Sequence, residues 1–173
     1  MNRTALVVIV TSALGAAVSA GVLGGCSGNK AGPTVSKPSS DAIPTVSPVV
    51  SSDILAREPL SNTAMVKHIL ISWHDLGDAF QGHIDPRAEK RSKADAEAEV
   101  RALVKQLQDG GDFDALMKAH SEDTGSAMSG RAFTVEPNSQ LVIEFRQLSL
   151  RLRPGEFGVC QSDFGFHIIK RIS

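Results

Sequence analysis

The chain has 173 residues, enough for one globular domain with additional segments. Its 18 basic and 19 acidic residues are mixed along the sequence and leave a formal net charge of −1. This balance argues against a nucleic-acid-binding protein, which would present clustered lysine and arginine side chains to phosphates. The first aromatic residue is Trp73, and because large rings usually dominate a core, the packed domain is expected in the second part of the chain.

The N-terminal segment is predicted to be a targeting sequence. Arg3 precedes an apolar stretch over residues 5–23, whose length suits either export or a membrane span. The sequence VLGGC at residues 22–26 resembles a bacterial lipobox, in which a peptidase cuts before the cysteine and the sulfur receives a diacylglycerol. Residues 1–25 are therefore predicted to be a lipoprotein signal peptide and Cys26 the lipidated residue, with an uncleaved anchor or an ordinary secretory peptide as alternatives.

Residues 26–62 are predicted to form a disordered tether. Serine and proline recur there, aromatic residues are absent, and five of the eight prolines of the chain lie between residues 27 and 62. Such a segment buries too little apolar surface to offset its conformational entropy. Its end, DILAREPL, allows either a short helix or a strand packed on the domain. The second cysteine, Cys160, lies in an apolar stretch and is expected to be a buried core residue without a disulfide partner.

The predicted domain covers residues 63–173 and begins with a strand from Val66 to Trp73. Its residues are β-branched and apolar, and alternation places His68 on the same face as Val66 and Leu70. A polar loop follows. A histidine in the middle of an apolar strand needs a hydrogen-bonding partner, because an unpaired buried imidazole costs free energy.

Two helices are predicted after this loop. The first presents one apolar face at helical spacing and ends at Gly110-Gly111; its face consists of Ala96, Val100, Leu103 and Leu107. The second begins at Asp112, a good N-cap residue, and places Phe113, Leu116 and Met117 on one face. Residues 123–130 are predicted to be a loop.

The remaining elements alternate between strand and helix. Residues 131–135 predict a short strand, residues 139–150 a third helix, and residues 156–161 and 164–172 two final strands joined by Ser162-Asp163. The order strand, helix, helix, strand, helix, strand, strand favours an α+β domain with a mainly antiparallel sheet. The last strand carries His167 in its centre, as the first strand carries His68.

Five segments in this order resemble the successive motifs of parvulin-type peptidyl-prolyl cis-trans isomerases: VKHILIS, GGDFDALMKAHSEDTGSA, LVIEF, LRPGE and FGFHIIKRI. The resemblance implies a parvulin-like (FKBP-like) four-stranded sheet with three to four packed helices. It also implies that the first and last strands are neighbours. His68 and His167 would then form a hydrogen-bonded pair beneath the active site.

The resemblance nominates further site residues. Asp123 stands where parvulins carry a cysteine or an aspartate, and Ser162 matches a hydroxyl that bonds to the histidine pair. The residues matched to the apolar proline pocket are Phe133, Leu141 and Phe145. The segment GRAFT, residues 130–134, departs from the usual glycine-rich run, so Phe133 either narrows the pocket or turns away. Basic residues at 90, 91 and 93 are interpreted as a solvated charged face rather than a phosphate site.

The function implied by the resemblance is isomerisation of X-Pro bonds in exported polypeptides, without metal, nucleophile or cofactor. The expected partners are unfolded or extended proline-containing chains, and the lipid would hold the protein in the cell envelope. Because Ser27 rather than an aspartate follows the predicted lipidation site, an outer membrane is favoured where one exists. The alternative is a weakly active or inactive parvulin-like module that binds peptides as a chaperone, which the altered segment at residues 130–134 motivates.

Overall fold

The structure, a computed structural model, describes residues 46–173. The predicted signal peptide, Cys26 and the first part of the predicted tether lie outside these residues. The helices are α1 (Ser52–Leu55), α2 (Lys93–Gln108), α3 (Phe113–His120), α4 (Thr124–Ser129) and α5 (Ile143–Arg151), and the strands are β1 (Ala64–Ile71), β2 (Phe133–Val135), β3 (Phe157–Ser162) and β4 (Gly165–Arg171). Two 3₁₀ helices, His74–Phe80 and Ala88–Lys90, lie between β1 and α2. Within this part of the chain, no helix is both long and apolar enough to cross a membrane.

The four strands form one antiparallel sheet in the order β2-β1-β4-β3. This arrangement confirms the predicted α+β class and makes the first and last strands of the domain neighbours. In the register of β1 and β4, His68 lies opposite Ile169 and Leu70 lies opposite His167. The two histidines are therefore diagonal neighbours on one face of the sheet, within reach of each other.

Helices cover both faces of the sheet, and the alternation of the strands decides which residues each helix meets. On one face, Ile69 and Ile168 pack against α2 and α3. The buried residues of α2 are the four that helical spacing predicts, namely Ala96, Val100, Leu103 and Leu107. On the other face, Cys160 and Ile169 pack with Phe145 and Leu148 of α5. The histidine pair lies on this second face.

The structure corrects the predicted tether, because residues 46–62 pack on the domain. The DILAREPL segment contains helix α1, whose Ile54 is buried in the core beneath α5. Ser51 extends the sheet edge: its N–H donates to the carbonyl of Val159, and its hydroxyl accepts from the Val159 N–H. These contacts satisfy backbone groups of β3 that an edge strand would otherwise leave open. The ordered domain thus begins before residue 63.

The structure also corrects the loop predicted over residues 123–130, which contains helix α4. Asp123 is its N-cap and accepts a hydrogen bond from the Ser126 N–H. Gly130 ends the helix in the left-handed conformation at φ 65°, which glycine adopts without a steric penalty. The helix therefore holds Asp123 at a defined position beside β1.

Candidate active site

The two central histidines of β1 and β4 meet on the α5 face of the sheet. The Nδ1 atoms of His68 and His167 are 3.3 Å apart, and the rings are nearly parallel, with an interplanar angle of 21°. Both residues are 5 % exposed. The prediction that the two rings form a pair is confirmed, and each ring supplies the partner that the other needs in a buried position.

The pair is the middle of a longer chain of hydrogen bonds. At one end, His68 Nε2 lies 2.8 Å from Asp123 Oδ2. At the other end, His167 Nε2 lies 2.8 Å from the hydroxyl of Ser162. The structure therefore brings together the four polar residues that the sequence nominates: His68, Asp123, Ser162 and His167.

The chemistry of the end groups fixes the direction of this chain. An ionised carboxylate only accepts, so Nε2 of His68 carries a proton and donates it to Asp123. When both rings are neutral, His167 then donates from Nδ1 to His68 and accepts at Nε2 from the Ser162 hydroxyl. The Ser162 oxygen in turn accepts from the Phe164 N–H at 3.1 Å. Every polar atom of this series of hydrogen bonds has a partner in this arrangement.

Asp123 is held as a carboxylate by several donors. The hydrogen bond from His68 holds the pKa of Asp123 well below its usual range, against the opposing effect of partial burial. Ser126 adds two further bonds, from its hydroxyl to Oδ2 at 2.7 Å and from its N–H to Oδ1 at 3.3 Å. About one third of the side chain is exposed, so the negative charge is fixed in a position that is accessible from the surface.

His167 is buried to the same extent as His68, and this burial changes its protonation. Burial lowers its pKa to about 3, and the neighbouring His68 acts in the same direction. The ring is therefore neutral across the physiological range, in agreement with the donor and acceptor roles assigned above. A group that is neutral when folded and able to bind a proton when unfolded makes stability depend on pH.

We expect the free energy of unfolding to fall as the pH drops below about 6.5, the pKa of an unfolded histidine. Between that pH and about 3, the unfolded chain binds a proton at residue 167 that the folded chain does not, so stability rises with pH. The loss for this single group is roughly 2–3 kcal/mol between pH 6.5 and 4.5. His167→Asn removes the titrating ring and should lose this slope.

Urea unfolding of wild type and His167→Asn at pH 7, 6, 5 and 4.5 measures the difference. His83→Asn is the matched control, because His83 is exposed in the loop after β1. It should retain the wild-type slope. Equal slopes for His167→Asn and wild type would contradict the assignment of a neutral buried ring at position 167.

An apolar cavity of about 250 Å³ lies directly against the histidine pair. The three residues matched to the proline pocket all line it, namely Phe133, Leu141 and Phe145. Phe133 and Phe145 each present a ring edge-on to His68, at centroid distances of 5.3 and 5.2 Å. Phe133 therefore turns into the cavity and not away from it. The volume lies below the range of about 300–1,000 Å³ typical of drug-sized ligands, and suits a single side chain or ring.

Some site residues were not nominated from the sequence. Ser126, the second donor to the Asp123 carboxylate, falls in the segment interpreted as a loop; an aspartate is a preferred N-cap residue and accepts from the backbone N–H two or three residues later, which is a signal for the backbone contact to Ser126. Phe164 also lines the cavity and packs edge-on against Phe80 at 5.5 Å. Among residues 46–173, no group of three or more His, Cys, Asp or Glu side chains could hold a metal ion.

Comparison with known proteins agrees with this geometry. A family model described as the PPIC-type PPIase domain matches residues 52–172. The chain is 38 % identical over 86 residues to the chaperone SurA of Nitrosospira multiformis, a match covering 49 % of this chain and 19 % of that protein. It is 38 % identical over 78 residues to the foldase protein PrsA of Exiguobacterium sibiricum, covering 43 % of this chain and 25 % of that protein. The matches thus span about a fifth to a quarter of the length of these relatives.

Solved structures show the same fold at low sequence identity. The solution structure of TbPIN1 superposes with a TM-score of 0.56 at 21 % identity and covers 66 % of this chain and 100 % of that one. The peptidyl-prolyl isomerase ESS1 from Candida albicans gives a TM-score of 0.54 at 17 % identity, covering 65 % and 63 %. Because the family model matches well over half of the chain, the chain belongs to the PPIC-type PPIase family, the parvulins.

Proposed function

We propose that this protein catalyses cis-trans isomerisation of X-Pro peptide bonds in polypeptides and acts as a foldase. The observation that carries the proposal is an apolar, ring-sized cavity that ends on a buried histidine pair and has an ionised carboxylate, Asp123, at its margin. The family match and the similarity to SurA and PrsA, a chaperone and a foldase by name, support it.

The reaction needs no covalent intermediate. Rotation about an X-Pro bond is slow because amide resonance must be broken, at a barrier of roughly 18–20 kcal/mol. A catalyst lowers this barrier when it binds the twisted amide better than the planar one. In the twisted state the carbonyl oxygen loses negative charge and the prolyl nitrogen becomes a better hydrogen-bond acceptor.

Different residues of the site would hold the proline ring and act on the carbonyl that precedes it. Phe133, Leu141 and Phe145 hold the proline ring still while the preceding carbonyl turns. The Asp123 carboxylate lies beside that carbonyl and disfavours its planar, more negative form, which is electrostatic preorganisation of the kind that stabilises transition states. His68, Ser162 and His167 act as positioning residues, because their hydrogen bonds hold Asp123 in place and ionised.

A second candidate function is a peptide-binding module with weak or no catalysis. The observation that favours it is Phe133, which stands in the altered segment 130–134 and narrows the cavity with its ring. With the bulky Phe133 ring in its wall, the cavity can still bind apolar side chains of a peptide. It leaves less room for a proline ring to bind in both the cis and the trans state. This module would hold extended chains as a chaperone does.

A protease-coupled assay on X-Pro peptides with different residues before proline distinguishes the two functions. We expect the wild type to accelerate isomerisation well above the uncatalysed rate, which has a time constant of tens to hundreds of seconds. Rates at background across the whole panel, together with retained peptide binding, would assign the module instead. A Phe133→Leu variant tests the wall directly: a rise in rate would show that the ring restricts turnover.

We further propose that a lipid on Cys26 anchors the protein to a membrane of the cell envelope, where it meets newly exported chains, with the outer membrane favoured where one exists. The support is the sequence VLGGCS around this cysteine. Metabolic labelling with a radioactive fatty acid tests it, since the wild type should incorporate the label and Cys26→Ser should not. Absence of label from the wild type, or equal labelling of the variant, would contradict a lipid on Cys26.

A further inference from the structure

A second and larger cavity adjoins the apolar one and differs from it in chemistry. Its volume is about 560 Å³, and it shares the lining residues Asp123 and Phe133 with the smaller cavity, so the two cavities lie next to each other. The wall beyond these shared residues includes Gly125 and Ala132, the hydroxyl-bearing residues Ser126, Ser129 and Thr134, and the cationic residue Arg131, and it is more polar than the wall of the smaller cavity. We refer to this second cavity as the polar groove.

Arg131 is the one cation that lines the polar groove, and its charge is uncompensated in the part of the chain that the structure describes. No ion pair there involves its guanidinium, although most other arginines of the domain contact carboxylates or backbone carbonyls. The residue is exposed. It lies on a short connection fixed at both ends, by Gly130 at the end of α4 and by Phe133 at the start of β2.

The position of the polar groove indicates which part of a substrate enters it. This step rests on the proposed function, which places the proline ring in the apolar cavity and the preceding carbonyl beside Asp123. Since Asp123 and Phe133 are the residues common to both cavities, a chain that continues past this carbonyl enters the polar groove. The residue immediately before the proline therefore has its side chain among the hydroxyls and Arg131.

We propose that Arg131 is a specificity-determining residue that selects an acidic side chain, glutamate or aspartate, immediately before the isomerised proline. The negative charge of Asp123, which also faces this groove, opposes a substrate carboxylate and limits the size of the preference, while the Asp123 oxygens already accept from His68 and Ser126. The guanidinium has no such partner among the described residues, and a substrate carboxylate would supply one. The Thr134 hydroxyl can donate a further hydrogen bond to the same carboxylate, whereas the hydroxyls of Ser126 and Ser129 already donate to Asp123 and to the Ser126 carbonyl.

The expected size of the preference follows from the solvent exposure of the ion pair between Arg131 and the substrate carboxylate. Solvent-exposed ion pairs change affinities by modest factors, roughly two- to fivefold. The preference should weaken in high salt, because the Debye length falls from about 10 Å at 0.1 M to about 3 Å at 1 M ionic strength. An apolar contribution to selectivity would not decrease in this way.

The experiment compares kcat/KM for three peptides that differ only before proline, with glutamate, glutamine or lysine in that position. In wild type we expect a Glu-to-Gln ratio of roughly two to five that approaches one in 1 M NaCl. Arg131→Gln should bring the ratio close to one, and Arg131→Glu should reverse it in favour of lysine. Arg101→Gln removes the same charge from helix α2, on the opposite face of the sheet, and should keep the wild-type ratio.

Two results would overturn this inference while leaving the isomerase activity intact. One is a wild-type ratio near one, and the other is an unchanged ratio in Arg131→Gln. If wild type isomerises none of the peptides, the proposed function fails; the affinities of the same three peptides, measured by fluorescence anisotropy, then decide the inference. A Glu-over-Gln preference in binding that Arg131→Gln abolishes would support the selecting role, and equal affinities would refute it.

Discussion

Replacing Asp123 by asparagine is expected to lower kcat/KM for an X-Pro peptide on the order of a hundredfold. The substitution keeps the shape of the side chain and removes its charge. If the carboxylate acts by disfavouring the planar, more negative carbonyl, a neutral amide at the same place loses this effect. The loss should appear mainly in kcat, because the interaction distinguishes the twisted from the planar amide and contributes little to ground-state binding.

The asparagine variant should remain folded, which makes the activity measurement interpretable. With its oxygen in the Oδ2 position, asparagine still accepts from His68 Nε2 and from the Ser126 hydroxyl. Only the longer cap bond at Oδ1, 3.3 Å from the Ser126 nitrogen, is lost. Asp109→Asn is the matched control, since Asp109 is exposed at the end of α2 and its ion pair with Lys105 is a surface pair of small energy.

A double variant tests whether the histidine acts through the carboxylate. If His68 is a positioning residue, His68→Gln combined with Asp123→Asn should be about as slow as Asp123→Asn alone, because residues that act as one unit are not additive. Native rates for a well-folded Asp123→Asn protein would refute the electrostatic role. Independent, multiplying losses would instead indicate that the histidine contacts the substrate itself.

Periodic patterns predicted the regular elements of this fold well. The face of α2 from Ala96 to Leu107 follows a helical spacing that few other structures produce, and all four of its apolar residues are buried. Alternation in β1 correctly placed His68 on the face opposite Ile69. What periodicity could not supply was the pairing of β1 with β4, which are about a hundred residues apart; that came from the resemblance to parvulins.

The missed segments are those in which tertiary contacts outweigh local composition. Residues 46–62 have the serine and proline content of a tether, yet Ile54 finds a buried position beneath α5 and Ser51 pairs with the edge of β3. Helix α4 is short and contains glycine and serines of low helical propensity. Its caps, Asp123 and Gly130, stabilise it instead.

Arg91 shows a third reason why sequence patterns fail. It stands in a run of alternating charges that was interpreted as a solvated face, but its side chain is only 11 % exposed. Its Nη1 donates to Glu122 Oε1 at 2.6 Å and to the Ser72 carbonyl at 2.9 Å, and its Nη2 lies 2.9 Å from Glu99. Composition cannot tell which member of a charged run meets a partner distant in sequence. The interpretation as a solvated face is therefore wrong for this residue.

The Arg91–Glu122 pair connects the loop after β1 to the segment that carries Asp123. The Glu122 side chain is 1 % exposed, and its second oxygen accepts from the Ser72 N–H at 2.6 Å. The backbone N–H of Glu122 donates to the carbonyl of Leu70, at the end of β1. Since Asp123 follows directly, this cluster positions the carboxylate relative to the strand that carries His68.

We expect Arg91→Met to lower the free energy of unfolding by roughly 3–5 kcal/mol, because it leaves the buried Glu122 carboxylate without its cationic partner. The loss of the ion pair should cost less in Glu122→Ala, because Arg91 keeps its second partner, Glu99. Glu122→Ala also removes the acceptor of the Ser72 N–H, which adds the cost of an unsatisfied buried donor. The double variant should be less destabilised than the sum of the two single variants, since it removes the unpaired charge together with its partner. Urea unfolding of the three variants measures these differences.

Lys105→Met and Asp109→Ala, from an exposed pair on α2, are the controls and should each cost less than about 1 kcal/mol. Single variants at positions 91 and 122 that unfold within about 1 kcal/mol of wild type would show that the buried pair does not hold the Asp123 segment in place.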